Sequence, residues 1–152
     1  GPGTLGAPGG GGSPTVAVIR HLSVRTRGKG LHEITGEVQS AVEDSGLQEG
    51  LCTILIRHTS ASLTIQENAD PSARRDLEDW MDRHVPEDDP HFTHTLEGPD
   101  DMPSHIRAAL TSTTLSVPVE HGRLCLGTWQ GVYLWEHRLR GSTRRCVLHI
   151  GS

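Results

Sequence analysis

Residues Thr114–Ile150 read TLSVPVEHGRLCLGTWQGVYLWEHRLRGSTRRCVLHI. Four runs rich in β-branched and aliphatic residues follow one another here: Thr114–Val119, Leu124–Thr128, Val132–Leu139 and Arg144–Ile150. Glu120-His121-Gly122-Arg123 and Gly141-Ser142 supply the turn signals between them. Connections this short join antiparallel neighbours, whereas parallel strands need long crossovers. The C-terminal half is therefore expected to be hairpins in an antiparallel sheet.

Upstream, Thr15–Thr26 reads as a first strand, and Leu51–Arg57, apolar on both faces, as a central one. Ser62–Gln66 is a short third. Helices are expected over Ile34–Ser45, with Gly46 as its C-terminal cap, and from Asp70-Pro71 onward, with Asp70 as N-cap. Leu77, Trp80, Met81 and His84 would form the apolar stripe of that second helix. A polar loop, Pro86–Asp101, leads to a short helix from Pro103 to about Leu110. Three helices and about seven strands, with hairpins dominating, define an α+β domain in which helices cover one side of the sheet. Residues 1–14, GPGTLGAPGGGGSP, are too poor in side chains to offset ordering entropy, and are expected to be a flexible tail outside a single domain over 15–152.

The 152 residues carry a formal net charge of −5, which argues against a nucleic-acid partner needing a basic footprint. Arg74, Arg75, Arg144 and Arg145 are expected as solvated surface. The three cysteines, Cys52, Cys125 and Cys146, form no C-x-x-C and are expected as buried thiols. No apolar run is long enough for a membrane span, and no leader pattern is visible, so the cytoplasm is the default compartment. Only 34% of residues are hydrophobic, which makes a subunit interface an attractive extra place to bury apolar surface.

Reactive side chains crowd four segments. His58-Thr59-Ser60-Ala61-Ser62 follows the central strand, where hydroxyls beside a His can hydrogen-bond an oxyanion; the plainer reading is a self-satisfied turn. Gln66-Glu67-Asn68-Ala69-Asp70 opens a helix and, taken alone, is a cap. In His94–His105, Pro103 in a first helical turn would bring Asp101 and His105 onto one face, with His94 and Glu97 nearby. That cluster suits a divalent metal or acid–base chemistry, although it matches no tight zinc signature. The plainer reading has Asp101 as a cap and His105 exposed. In Leu126–Arg138, the glycines around Thr128-Trp129-Gln130 suggest a tight turn where backbone approaches a ligand. Glu136 and Arg138 share a face with Val132 and Leu134, either as a structural pair or as a catalytic carboxylate with its arginine.

Together HTSASLTIQENADP, HTLEGPDDMPSHI, VPVEHGRL and LGTWQGVYLWEHR resemble the YjbQ-like family, over about Val16 to Gly151. Its members are often labelled secondary thiamine-phosphate synthases. The resemblance implies a β-sandwich-like domain with helices, assembled as a homotrimer with clefts between subunits. Its motif residues would gather at a cleft: His58, Thr59, Ser60, Ser62, Asn68 and Asp70, then His94, Asp100, Asp101, His105, Thr128, Gln130, Glu136 and Arg138. The implied activity is weak thiamine phosphate synthesis, joining a pyrimidine pyrophosphate to a thiazole phosphate. A chain of this length is too short for the TIM barrel of the main thiamine-phosphate synthase, typically about 250 residues, so fold cannot vouch for chemistry.

The roles expected from these readings are specific. His58, Asp101, His105 and Glu136 are the catalytic candidates. Thr59, Ser60, Ser62, Asn68, Asp70, Thr128, Gln130 and Arg138 are the substrate- or phosphate-binding ones. His94, His105 and Asp101 would hold a divalent ion, Mg or Zn. The expected partner is a phosphorylated small molecule, with metal-dependent phosphate-ester hydrolysis and non-catalytic metabolite binding as the alternatives.

Overall fold

A computed structural model describes residues 17–152; the tail expected over 1–14 lies outside the described residues. Eight strands run β1 (Val18–Arg25), β2 (Gly30–Glu33), β3 (Glu49–Ile56), β4 (Ala61–Glu67), β5 (Thr114–Glu120), β6 (Arg123–Leu124), β7 (Gln130–Glu136) and β8 (Thr143–Gly151). Three helices, α1 (Thr35–Ser45), α2 (Pro71–His84) and α3 (Asp101–Leu110), interrupt them. The strands form not one sheet but two, ordered β1-β8-β3-β5-β6 and β2-β7-β4, with every pairing antiparallel.

The apolar side chains explain the layering. Val132 and Leu134 of β7 join Ile54, Ile56, Cys146, Leu148 and Ile150 of the larger sheet, with Val38 and Val42 of α1, in one inter-sheet core. Successive strand residues face opposite ways, so Tyr133 and Trp135 point to the other side of β7. There they pack with Leu31, Met81 and Val85, and with Leu77 and Ile106 of the two later helices. Both faces of β7 are therefore covered. The outer face of the five-stranded sheet is not: Ile19, Leu51 and Leu55 are 51%, 40% and 43% exposed.

Local chemistry sets the element ends. Asp70 accepts from the Ser72 amide at 2.9 Å and caps α2, while Gly46 closes α1 in the left-handed region at φ 77°. His121 and Gly122, at φ 56° and 75°, make the two-residue turn between β5 and β6. The strand expected over Leu124–Thr128 is cut to Arg123–Leu124. Cys125 donates to the Pro118 carbonyl at 2.8 Å, but Pro118 has no N–H to return the bond. A Gly127–Gln130 turn then redirects the chain into the other sheet.

Several expectations are corrected here. β2 was not foreseen, because Gly-Leu-His-Glu is four residues long and lacks a β-branched side chain. Helix α3 begins at Asp101, two residues before Pro103. Trp80 is left out of the packed stripe of α2 and stacks on His84 at the surface, with ring centroids 4.0 Å apart. Cys125, beyond the truncated β6, is exposed; Cys52 and Cys146 are buried, and burial pushes each thiol up to about 11. Arg144, expected at the surface, is buried. No helix among the described residues is long and apolar enough to cross a membrane.

Gly141 lies where the β7–β8 connection crosses the end of β1, and a methyl group there would overlap the Thr26 carbonyl. Gly36, inside α1, has open space around it. Gly141→Ala is expected to destabilise by about 1–3 kcal/mol. Gly36→Ala should stabilise by up to about 1 kcal/mol, because alanine is the better helix former. Denaturant unfolding of the two variants against the parent chain checks both signs.

Candidate functional site

One end of the two-sheet stack is closed by charge. Glu136, the last residue of β7, is wholly buried and points toward the larger sheet, where Arg144 of β8 meets it. Arg144 Nε donates to Glu136 Oε1 at 2.8 Å, and its terminal nitrogen donates to Oε2. Thr26 Oγ1 donates to Oε1 at 2.6 Å and the Arg138 amide to Oε2 at 3.1 Å. Burial alone would raise this carboxyl; the Arg144, Thr26 and Arg138 hydrogen bonds outweigh it and hold the group below its ordinary value. The partner expected for Glu136 was Arg138, and the residue in place is Arg144.

Arg138, just past the strand, serves a different set of acceptors. Its Nε donates to Asp100 at 2.9 Å, Nη1 to Asp101 Oδ1 at 2.5 Å and Nη2 to the Glu97 carbonyl at 2.9 Å. The Leu139 amide also donates to Asp100 at 2.9 Å. Asp100 and Asp101 are both buried, which favours their neutral forms, yet the Leu139 amide and Arg138 hold Asp100 below the ordinary range, and the His94 hydrogen bond, with His105 and Arg138 beside it, does the same for Asp101. Instead of capping α3, Asp101 turns its other oxygen, Oδ2, to two imidazoles: His94 Nε2 at 2.6 Å and His105 Nε2 at 2.9 Å. The i to i+4 spacing across α3 puts Asp101 and His105 on one face, as expected.

His105 carries a further constraint. Its Nδ1 lies 2.9 Å from the Thr59 carbonyl, an obligate acceptor, so Nδ1 carries the proton. Nε2 then faces the Asp101 carboxylate, a second acceptor. A neutral imidazole has one proton and cannot donate to both, and a cation held at Nε2 would satisfy the arrangement. A ring whose far nitrogen donates to a backbone carbonyl is the usual arrangement of a metal-bound histidine. One ligand atom from each of His94, Asp101 and His105 lies within 4.8 Å of the others. Two imidazoles and a carboxylate suit zinc or a similar transition ion better than magnesium, which prefers oxygen.

His58 closes the cluster on the other side. Its Nε2 accepts from the Arg145 amide at 2.8 Å, and its Nδ1 lies 3.4 Å from an Arg144 nitrogen. Burial first, and then the Arg144 guanidinium, push this imidazole below its ordinary value, so it is a neutral acceptor. Arg144 also donates to the Ser60 carbonyl at 3.2 Å. A hollow of about 260 Å³ opens beside these groups, lined by Ser60, Arg138, Arg140, Gly141, Ser142 and Arg144.

His58, Thr59, Ser60, His94, Asp100, Asp101, His105, Glu136 and Arg138 thus form one hydrogen-bonded cluster within a single chain. Ser62 is adjacent but buried, its hydroxyl 2.8 Å from His137 Nε2. The remaining candidates lie elsewhere. Ala61 pairs with Glu136 at one end of the β4–β7 ladder and Glu67 with Gln130 at the other, roughly 20 Å away at about 3.4 Å per residue. At that far end Asn68 donates to Glu33 at 3.1 Å, Gln130 accepts from the Gly127 amide at 2.7 Å, Asp70 caps α2, and Thr128 is exposed. The close approach expected near Gly131 is to Glu33 and Asn68 of the same chain.

Thr26, Arg107, His137, Arg140, Ser142 and Arg144 were not foreseen. Arg144 left a signal: it alternates in phase with Cys146, Leu148 and Ile150, the apolar face of β8, where a charge must be paired. His137 left none. It is buried between Ser62 and the Trp135 ring, while its Nδ1 and Arg107 Nε have no partner among the described residues.

Fold and site together define the class: an α+β domain of two antiparallel sheets with a His–Asp–Arg–Glu cluster at one open end. Residues 20–152 match the family model described as UPF0047 protein YjbQ-like, and the chain belongs to that family. UPF0047 protein sll1880 of Synechocystis is 52% identical over 131 residues, covering 86% of this chain and 89% of that protein. YjbQ of Escherichia coli O157:H7 is 43% identical over 127 residues, covering 83% and 91%. A solved YjbQ/UPF0047-family structure from Clostridium acetobutylicum superimposes with a TM-score of 0.78 at 33% identity, covering 85% of this chain and 97% of that one. A YbjQ-like protein of unknown function from Sulfolobus solfataricus shares the fold, with a TM-score of 0.83 at 24% identity over 91% and 99% of the two chains.

Burial lowers His137 from its ordinary 6.5 to about 3. The unfolded chain therefore takes up this proton first, and the folded state loses stability as pH falls from about 6.5 toward 3. Between pH 7 and pH 5 the expected loss from this residue is about 2 kcal/mol. Unfolding free energies at the two pH values should differ less in His137→Gln than in the parent; an unchanged difference would show that His137 titrates normally.

Proposed function

We propose that this chain is a small enzyme that acts on a phosphorylated small molecule, with thiamine phosphate synthesis as the named activity. The observation that carries the reading is the His94–Asp101–His105 trio beside an arginine-lined hollow, with Arg138 belonging to both. One subsite is suited to a cation and the other to an oxyanion, and phosphate chemistry needs the two adjacent.

When bound, a divalent ion at the trio would supply Lewis-acid stabilisation of charge on a departing pyrophosphate. The chain's own groups have separable tasks. The Thr59 carbonyl fixes the tautomer of His105, and Arg138 holds Asp101 from behind so that its Oδ2 faces the imidazoles. Glu136 keeps Arg144 in place beside His58 and so acts as a positioning residue. In the overall reaction the pyrimidine's bond to its pyrophosphate breaks and a bond to the thiazole forms, with pyrophosphate released. Hydrolysis of a phosphate ester at the same trio would use water in place of the thiazole; substrate competition separates the two.

The expected result is stoichiometric zinc retention by the purified chain, lost in His105→Ala and Asp101→Asn. Turnover of the pyrimidine and thiazole substrates should fall at least about tenfold in both variants, the usual scale for losing a positioned acid–base or metal group. Parent-like metal content and turnover in both variants would exclude this centre.

The assembly we propose is a homotrimer. Its support is the uncovered apolar face of the five-stranded sheet, Ile19, Leu51 and Leu55, in a chain short of core residues. Between chains, the Asn68, Asp70, Thr128 and Gln130 group of one copy could approach the histidine cluster of another, which one chain does not allow. Light scattering should report three chain masses for the parent and a smaller species for Leu55→Asp. A monomeric parent would rule the trimer out.

A further inference from the structure

We infer that the hollow between Ser60, Arg140, Ser142 and Arg144 is a dedicated oxyanion subsite that grips the phosphate of the substrate as a handle, apart from the reacting centre at His94, Asp101 and His105. The inference rests on the trio being that centre.

Charge bookkeeping locates the handle. At the cluster, Arg138 is matched by Asp100 and Asp101, and Arg144 by Glu136. Arg138 is the arginine that sequence favours for phosphate, yet its Nε, Nη1 and Nη2 are each committed to a protein acceptor. Arg140 makes no ion pair among the described residues, and residues 1–16 contain no Asp or Glu to supply one. In a chain of net charge −5, Arg140 thus brings an uncompensated guanidinium to a hollow that Arg138 and Arg144 also line. Such an arrangement attracts an anion and steers it in.

The hollow is framed by a loop fastened to the end of β1. The Ser142 amide donates to Thr26 Oγ1 at 2.9 Å and the Thr26 amide to the Ser142 carbonyl at 2.8 Å, so the loop carrying Arg140 is clamped to the end of β1. Gly141 allows that contact because no side chain fits against the Thr26 carbonyl. The Ser60 carbonyl is used by Arg144 and by the His137 amide, and its hydroxyl, beside the arginines, has no partner among the described residues. The hollow's volume, about 260 Å³, is ample for a phosphate group. A phosphate seated here meets Arg140 and the Ser60 and Ser142 hydroxyls, while Arg138 separates it from Asp101. The substrate is then a phosphomonoester whose reacting atoms lie on the far side of Arg138.

Inorganic phosphate titrated into the intact chain, followed by calorimetry at low salt, tests the assignment, with zinc content measured on the same samples. Arg140→Ala is expected to weaken phosphate binding about tenfold or more and leave zinc retention unchanged. His105→Ala should lose zinc and keep phosphate binding. If Arg140→Ala binds phosphate like the parent, or if His105→Ala rather than Arg140→Ala abolishes it, the handle assignment is overturned even where zinc binds. A parent that retains no zinc refutes the reacting centre, and with it the separation into two subsites, whatever Arg140 does.

Discussion

Two sheets meet at their open end through Glu136 and Arg144, and much of the polar architecture hangs from that contact. The pair is buried, and a buried ion pair recovers its desolvation cost only when the remaining lone pairs and protons are also satisfied. Here Thr26 and the Arg138 amide complete Glu136, and the Ser60 carbonyl takes the spare hydrogens of Arg144. Removing either partner would leave an uncompensated charge between the sheets, which costs about 3–5 kcal/mol in comparable sites. Substitution of Glu136 is thus a structural event before it is a chemical one.

From that pair the cluster grows in two directions without crossing charges. Toward β8 and the end of β3, Arg144 faces His58 and helps keep it neutral. Toward the loop before α3, Arg138 is passed to Asp100 and Asp101, and Asp101 to the two imidazoles. Arg138 and Arg144 each have an assigned anion, while Arg140 at the rim has none among the described residues. A polar centre arranged in this way is rigid, because moving one member strands another. It is also asymmetric, with His94, Asp101 and His105 at one edge and Arg138, Arg140 and Arg144 at the other.

The thin core shapes the rest. Covering both faces of β7 uses most of the large apolar side chains, and the outer face of the five-stranded sheet is left with Ile19, Leu51 and Leu55 uncovered. Leu51–Ile56 looked doubly apolar in sequence for the same reason: one face fills the inter-sheet core, and the other is the exposed face of the sheet. The UPF0047 family match spans residues 20–152, nearly the whole described chain.

Helices α1 and α2, most strands and the β5–β6 hairpin were legible from local rules, because caps, turn glycines and alternation act over a few residues. The hairpins expected from β6 to β7 and from β7 to β8 do not form, since those neighbours lie in different sheets. The Asp101–His105 pair was legible for the same reason, since one helical turn connects them. The existence of two sheets, the burial of Arg144 and the pairing of Glu136 with it rather than with Arg138 were decided by tertiary structure. Residues 136 and 144 approach only when β7 and β8, lying in different sheets, stack face to face, and no spacing along the chain encodes that distance. The separation of Asn68 and Gln130 from His58 belongs to the same class: motifs adjacent in the sequence of one ladder can sit at its opposite ends. Local sequence determined which elements form and how they end; the packing of one sheet on the other decided which charges meet.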